Sequence, residues 1–331
     1  MAAKRLCDNR LMRLLLRNFR GVLLCVTVLA LPTTPRAGQA APAAAVQAAD
    51  PAELVKQARK LSTEGKQDEA LALFGRALER APDSFDAHLG AGVACDLRGD
   101  YAEARKHFTR ALELAAEDSK NQVLTAMGVS YAFDRDVKNA AKFYQQAFDR
   151  EMTRSDYAGA ADAADALGGV YLESGDFDNA LKWYQTAYET ARRQPDLPGA
   201  QLDLWTMRSA HAQARIAARR GNARVAREQS AIVKSRLDKG TNPDQQVQYP
   251  YLAGYVDLYL KDYTGAIAEL QRADQGDPFV LMLLAQAYEK IGDKPKALEC
   301  HQRVLTSTAH TPNNAFARPM AKKKLRIRTD G

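Results

Sequence analysis

The chain has 331 residues, with 47 lysines and arginines against 40 aspartates and glutamates, a net charge of +7. Such a balance raises nucleic-acid binding as a function. The distribution excludes it: residues 1–40 hold Lys4, Arg5, Arg10, Arg13, Arg17, Arg20 and Arg36 against Asp8 alone, a net +6 that leaves only +1 for the rest.

The N-terminus reads as an export segment. Residues 1–20 are basic, 21–32 are apolar and uncharged, and Ala37-Gly38-Gln39-Ala40 supplies small residues for cleavage after Ala40. This is the three-part logic of a secretory signal peptide over 1–40. Twelve apolar residues fall short of the roughly 20 that span a bilayer as a helix. An uncleaved anchor is the alternative. Leu24 before Cys25 argues against a lipoprotein, and the apolar core after the arginines argues against a mitochondrial transit segment. Translation starts at Met1 or at Met12, which would begin a more compact signal. Residues 41–50 form an Ala-rich flexible lead.

From 51 to 310 one pattern recurs. Alanine stands at Ala70, Ala104, Ala140, Ala180, Ala226, Ala266 and Ala297. Twelve positions earlier lies a small residue: Ala58, Gly92, Gly128, Gly168, Ala214, Gly254 or Ala285. Seven positions later comes Ala77, Ala111, Ala147, Ala187, Val233, Ala273 or Val304. This is the period of stacked helix pairs, in which each pair seals the apolar face of the next. Small residues mark close approach of the two helices of a pair. Leu61, Tyr131, Tyr171 and Tyr288 late in first helices, with Phe74, Phe108, Tyr144, Tyr184 and Leu270 in second helices, fill the space between.

The turns carry the matching chemistry. Gly65, Gly99, Gly175, Gly221 and Gly292 stand where first helices end, and glycine tolerates the left-handed cap. Asp100, Asp176 and Asp293 follow as caps of the next helix. Arg135 and Lys261 replace the glycine in two repeats, whose turns are expected to be less ideal. Repeats begin near 51, 85, 121, 161, 207, 247 and 278. The longer spacings predict extended helices around 155–170 and 200–215, with Gln194-Pro195-Asp196-Leu197-Pro198 as a loop. The fifth repeat is the weakest, with Ser230 at an aromatic position. Residues 311–331 read as a capping helix and basic tail, with Lys322–Arg328 as its solvated face. A nucleic-acid or anionic-lipid contact there lacks any aromatic or Gly-rich stacking element.

This pattern resembles the tetratricopeptide repeat family over roughly 50–310, most strongly at Gly99–Ala104 and Gly175–Ala180. The resemblance implies an all-α, right-handed superhelical solenoid of about seven repeats with a C-terminal capping helix. It also implies a non-catalytic scaffold or adaptor, here exported to a bacterial periplasm or cell envelope, that binds a protein or peptide in its concave groove.

Chemical motifs do not compete with that reading. His88, His107, His211, His301 and His310 show no metal-ligand spacing, so neither metal nor cofactor is expected. Gly90-Ala91-Gly92 lacks the third glycine and the preceding strand of a dinucleotide fingerprint. Arg98-Gly99-Asp100 is a repeat turn. Cys95 replaces a large core residue; it lies too many repeats from Cys300 for a disulfide. No nucleophile elbow, phosphate loop or kinase signature occurs, so the chain is not read as an enzyme.

The family's first helices line the groove, so the resemblance assigns its surface. Repeats 1–4 offer a mild mixture: Val55, Arg59, Asp86, Leu89, Val93, Gln122, Thr125, Asp162 and Asp165. The fifth offers Arg208, His211, Arg215 and Arg219, the sixth Tyr251, Tyr255 and Leu258, the seventh Phe279, Met282 and Gln286. Arg208, His211, Arg215, Arg219, Tyr251, Tyr255, Phe279 and Met282 form the candidate site. A cationic block beside an aromatic block suits an acidic peptide with apolar anchors. The alternative is that these arginines and tyrosines only line the inner face and stack on one another. The family's carboxylate clamp is absent, because Val55, Arg59 and Gly90 replace its residues. A glycan-binding accessory subunit of an envelope enzyme or assembly complex is the rival function. The partner's identity and the oligomeric state are not legible.

Overall fold

The computed structural model describes residues 50–326. The export segment, nearly all of the lead and the tail 327–331 lie outside the described residues. Fifteen α-helices make up the described chain, without a strand. Seven antiparallel pairs follow one another: α1 (Pro51–Thr63) with α2 (Gln67–Arg80), α3 (Phe85–Arg98) with α4 (Tyr101–Leu114), and α5 (Lys120–Phe133) with α6 (Val137–Thr153). Next come α7 (Tyr157–Ser174) with α8 (Phe177–Ala191), α9 (Gly199–Arg219) with α10 (Ala223–Asp238), α11 (Gln248–Tyr259) with α12 (Tyr263–Leu270), and α13 (Pro278–Ile291) with α14 (Lys294–Thr306). A last helix, α15 (Pro312–Lys324), follows. The longest first helices are α7 and α9, with 18 and 21 residues. They begin at Tyr157 and Gly199, ahead of the repeat starts near 161 and 207 and close to the expected extended spans.

The recurring alanines are buried, six of them with no exposed surface. The small residue of each first helix has a specific neighbour. A Cβ on Gly92 would meet the Phe108 ring at 2.5 Å, on Gly128 the Tyr144 ring at 2.7 Å, and on Gly168 the Tyr184 ring at 2.9 Å. The close approach is therefore ring onto glycine, sixteen residues on. It is not alanine against glycine. Gly90 does the same for Phe74 of the preceding pair, at 2.4 Å. Two packing duties explain Gly90-Ala91-Gly92 with no role for a nucleotide.

Turn geometry follows the glycines. Gly65, Gly175, Gly221 and Gly292 hold φ between 74° and 90°, and Gly99 holds 121°. Arg135 and Lys261 take the same left-handed conformation without glycine, at 59° and 71°. The closure survives: the Asp136 amide donates to the Tyr131 carbonyl at 2.9 Å, as Asp176 does to Tyr171 at 3.0 Å. Asp176 and Asp293 accept from backbone amides three residues on, as expected. Asp100 does not cap; its carboxylate turns back to pair with Arg98. In the fifth pair Ser230 returns its hydroxyl to the Ala226 carbonyl at 2.8 Å. Cys95 and Cys300 are buried free thiols, and burial pushes Cys95 up to about 12.

The helix α15 packs on α13 and α14, as a cap would. It also crosses the inner face to reach α5 and α7. Its apolar residues belong to two separate parts of the core. Ala315 sits with Leu97, Val129 and Phe133, while Ala317 and Ala321 sit with Met282, Leu283 and Tyr288. Lys322, expected on a solvated face, is buried, and its ammonium donates to the Arg98 carbonyl at 3.3 Å. Lys323, Lys324 and Arg326 are exposed.

Candidate functional site: an inner groove over the first three repeats

First helices present their inner faces at the turn-by-turn spacing of an α-helix. Over α1, α3 and α5 that surface is open, and it encloses a groove of about 850 Å³. Phe74, Leu89 and Val93 give it an apolar floor. Asn121, Gln122 and Thr125 of α5 line it with hydrogen-bonding groups. The buried Oδ1 of Asn121 has no hydrogen-bond partner within the chain. Arg59 and Asp86 pair across the exposed rim, which leaves little net charge there.

One end of the groove is closed by Thr308 and His310, from the segment after α14. The His310 ring lies between Phe108 and Phe133, 5.7 and 5.8 Å from their centroids. Its Nε2 meets Asp96 Oδ2 at 2.8 Å, and Ser130 donates to Asp96 Oδ1 at 2.8 Å. Asp96 has no exposed surface. Burial drives its pKa up, while His310 and Ser130 oppose the shift. Both side chains point at the carboxylate, so the serine is not activated by the histidine. The arrangement is a structural pin, without the geometry of a nucleophilic triad. Sequence reading gave His310 no role. The signal for it was Asp96 itself, an acid on an otherwise apolar stretch of a first helix.

The residues expected to bind a partner in repeats 5–7 do come together, but they face one another. Arg215 donates to Tyr184 at 2.8 Å and to Tyr251 at 3.3 Å. Arg219 contacts Glu173 at 3.4 Å and the Tyr255 hydroxyl at 3.3 Å. Arg208 pairs with Asp162 at 2.7 Å, and the His211 ring stacks beside Tyr251 at 5.4 Å. Tyr255, Phe279 and Met282 are 0%, 2% and 3% exposed, so they are core residues. The assignment of Tyr255, Phe279 and Met282 to the groove surface is thus corrected. The cause is physical: inner-face side chains of α9 and α11 bond to one another, and Phe316 and Met320 of α15 pack against the core that holds Tyr255, Phe279 and Met282. The acidic group that the arginines called for is supplied by the chain. Burial raises the pKa of Glu173, and Arg219 and Arg215 oppose that. Burial also holds His211 well below its ordinary value, which keeps it neutral.

Beside this cluster lies a smaller cavity of about 350 Å³, bounded by Glu173, Arg219, Tyr259, Met282, Phe316 and Met320. Among the described residues no three His, Cys, Asp or Glu side chains gather as a metal site. No described helix is long and apolar enough to cross a membrane.

Three family models match, all described as tetratricopeptide repeat, over residues 55–119, 119–193 and 280–315. The chain belongs to the tetratricopeptide repeat family. Its fold is shared with a tetratricopeptide repeat protein from Parabacteroides merdae, at 13% identity and a TM-score of 0.51, covering 84% of this chain and 98% of that one. It is shared with the apo form of RapI, at 10% identity and 0.52, covering 84% and 99%. Aspartyl phosphate phosphatase F from Bacillus subtilis matches at 10% identity and 0.55, covering 78% and 70%. Likeness at this identity is likeness of fold, and function must be argued from the site. Among curated proteins no match is found.

Proposed function

We propose that this tetratricopeptide repeat protein is a non-catalytic scaffold that holds an extended segment of a protein partner in the groove over α1, α3 and α5. The observation that carries the reading is the open 850 Å³ groove itself, apolar below and lined by amides and hydroxyls along α5. An extended peptide needs that combination: pockets for side chains and groups that pair with its backbone. The exposed Gln122 and the partly exposed Thr125 are the α5 groups that such a backbone would meet. Near neutrality at the rim favours shape and hydrogen bonding over charge as the basis of recognition.

Location in a periplasm or cell envelope rests on the N-terminal sequence. A reporter active only after export, fused to residues 1–50, should give signal, and the processed chain should begin near Ala41. A full-length cytoplasmic product would overturn that assignment.

The groove is tested with Thr125→Arg, which fills it from a partly exposed position, combined with Gln122→Ala. Crosslinking of the processed chain in its native envelope, followed by mass spectrometry, should identify a protein partner. The double variant should lose that partner while keeping the circular dichroism of the parent. An unchanged crosslink would move the site off α5. Binding of a purified glycan polymer, with no protein captured, would favour the glycan-accessory reading.

A further inference from the structure

The segment after α14 is connected to the rest of the chain unlike any repeat. Thr308 donates to the Thr63 carbonyl of α1 at 3.3 Å. His310 reaches Asp96 of α3, and Ala315 enters the core beside Val129 of α5 and Val170 of α7. A terminal cap touches the last pair only. This segment passes across the first helices of four earlier pairs, along the surface that in a solenoid faces an inner ligand.

Its binding mode is that of a helix in a groove, with a face of small residues laid into the surface. Ala315, Ala317 and Ala321 have no exposed area. Its own construction is weak in three respects. Pro319 lies inside α15 and removes a helical hydrogen bond. Arg318 and Lys322 are drawn out of water without a carboxylate: Arg318 meets the Leu305 and Ser307 carbonyls, and Lys322 the carbonyl end of α3. The Arg318 Nε has no partner, and burial lowers the pKa of both side chains. A buried and a half-buried cation, neither of them in an ion pair, offset part of what the alanine face contributes. Ahead of α15, Ser307–His310 is non-helical.

We propose that residues 307–326 are a built-in, displaceable ligand of the inner face, pinned by His310 on Asp96, which a partner must dislodge to run the length of the groove. Competition with a partner rests on the function proposed above. The displaceability of the segment does not.

Two measurements test the displaceability without any partner. In the unmodified chain, native-state hydrogen exchange should show amides of α15 opening in a step separate from α3, α5 and α13, at least tenfold faster. Exchange of α15 only together with those helices would overturn the proposal. In the variant His310→Ala/Phe316→Asp, a fluorescent synthetic peptide of residues 307–326 should bind at least tenfold tighter than to the parent, where the chain's own segment already holds that place. Equal binding to both, or binding to neither, would overturn it.

A crosslinked partner, once identified, should bind the opened variant at least tenfold tighter as well. A partner that binds both forms equally would sink the competition and leave the groove reading standing. Separate opening of α15 with no partner captured by either form would support the strap and count against the groove reading.

Discussion

His310 and Asp96, 214 residues apart in sequence, meet at 2.8 Å between Nε2 and Oδ2 inside the concave face. Ser130 completes the carboxylate's shell from the neighbouring pair. The chain thereby ties its last segment to its second and third repeats. Ser130→Ala leaves one oxygen of a fully buried carboxylate without its donor. It should cost about 1–3 kcal/mol, the penalty for an unsatisfied buried polar group, read by urea unfolding. Unchanged stability would mean that the Ser130 hydroxyl does not hold Asp96.

Ring-on-glycine packing yields a paired test. Gly92→Ala drives a methyl into the Phe108 ring, whose nearest atom lies 2.5 Å from the new Cβ. Overpacking of this kind costs about 1–3 kcal/mol. Gly75, exposed on α2, has nothing within 4 Å of an added Cβ. Gly75→Ala should instead stabilise by about 0.5–1 kcal/mol through helix propensity. Thermal unfolding of the two variants should move in opposite directions.

Lys261 occupies a left-handed turn position with φ of 71°. A side chain there costs roughly 1–2 kcal/mol, partly offset by the lower entropy of a non-glycine unfolded chain. Lys261→Gly should therefore raise stability by somewhat under that amount, about 0.5–1 kcal/mol. Chemical denaturation midpoints measure it, and a lower midpoint would refute strain at this turn.

The exposed Glu117 carboxylate is held down at about 2, from an ordinary 4.5, first by Lys120 and then by Arg150. A depressed carboxyl contributes stability that is complete above its unfolded pKa and is lost as pH falls toward the folded one. The window runs from 4.5 down to about 2. Glu117→Gln should therefore differ from the parent at neutral pH and converge with it in acid, by a small margin given the exposure. Side-chain NMR titration of Glu117 checks the midpoint directly; a midpoint near 4.5 would remove the basis of this expectation.

The solenoid was legible because its packing is local. Each ring meets a small residue sixteen positions back, and each turn closes over six residues, so a period along the sequence reports both. The replacement of glycine by Arg135 and Lys261 was equally visible, and the backbone takes the strained conformation there without losing the closure. The side chains Arg215 and Tyr255 show where local reading ends. Their spacing places them on first helices, but whether that face is open depends on which side chains and segments pack over it. Tertiary structure buries Tyr255 completely and gives Arg215 the Tyr184 and Tyr251 hydroxyls. It leaves the groove open instead at Val93, Gln122 and Thr125. It also decides the course of the last segment. Nothing periodic links His310 to Asp96, since a contact across 214 residues arises only once the repeats have curved far enough to bring the two ends of the solenoid together.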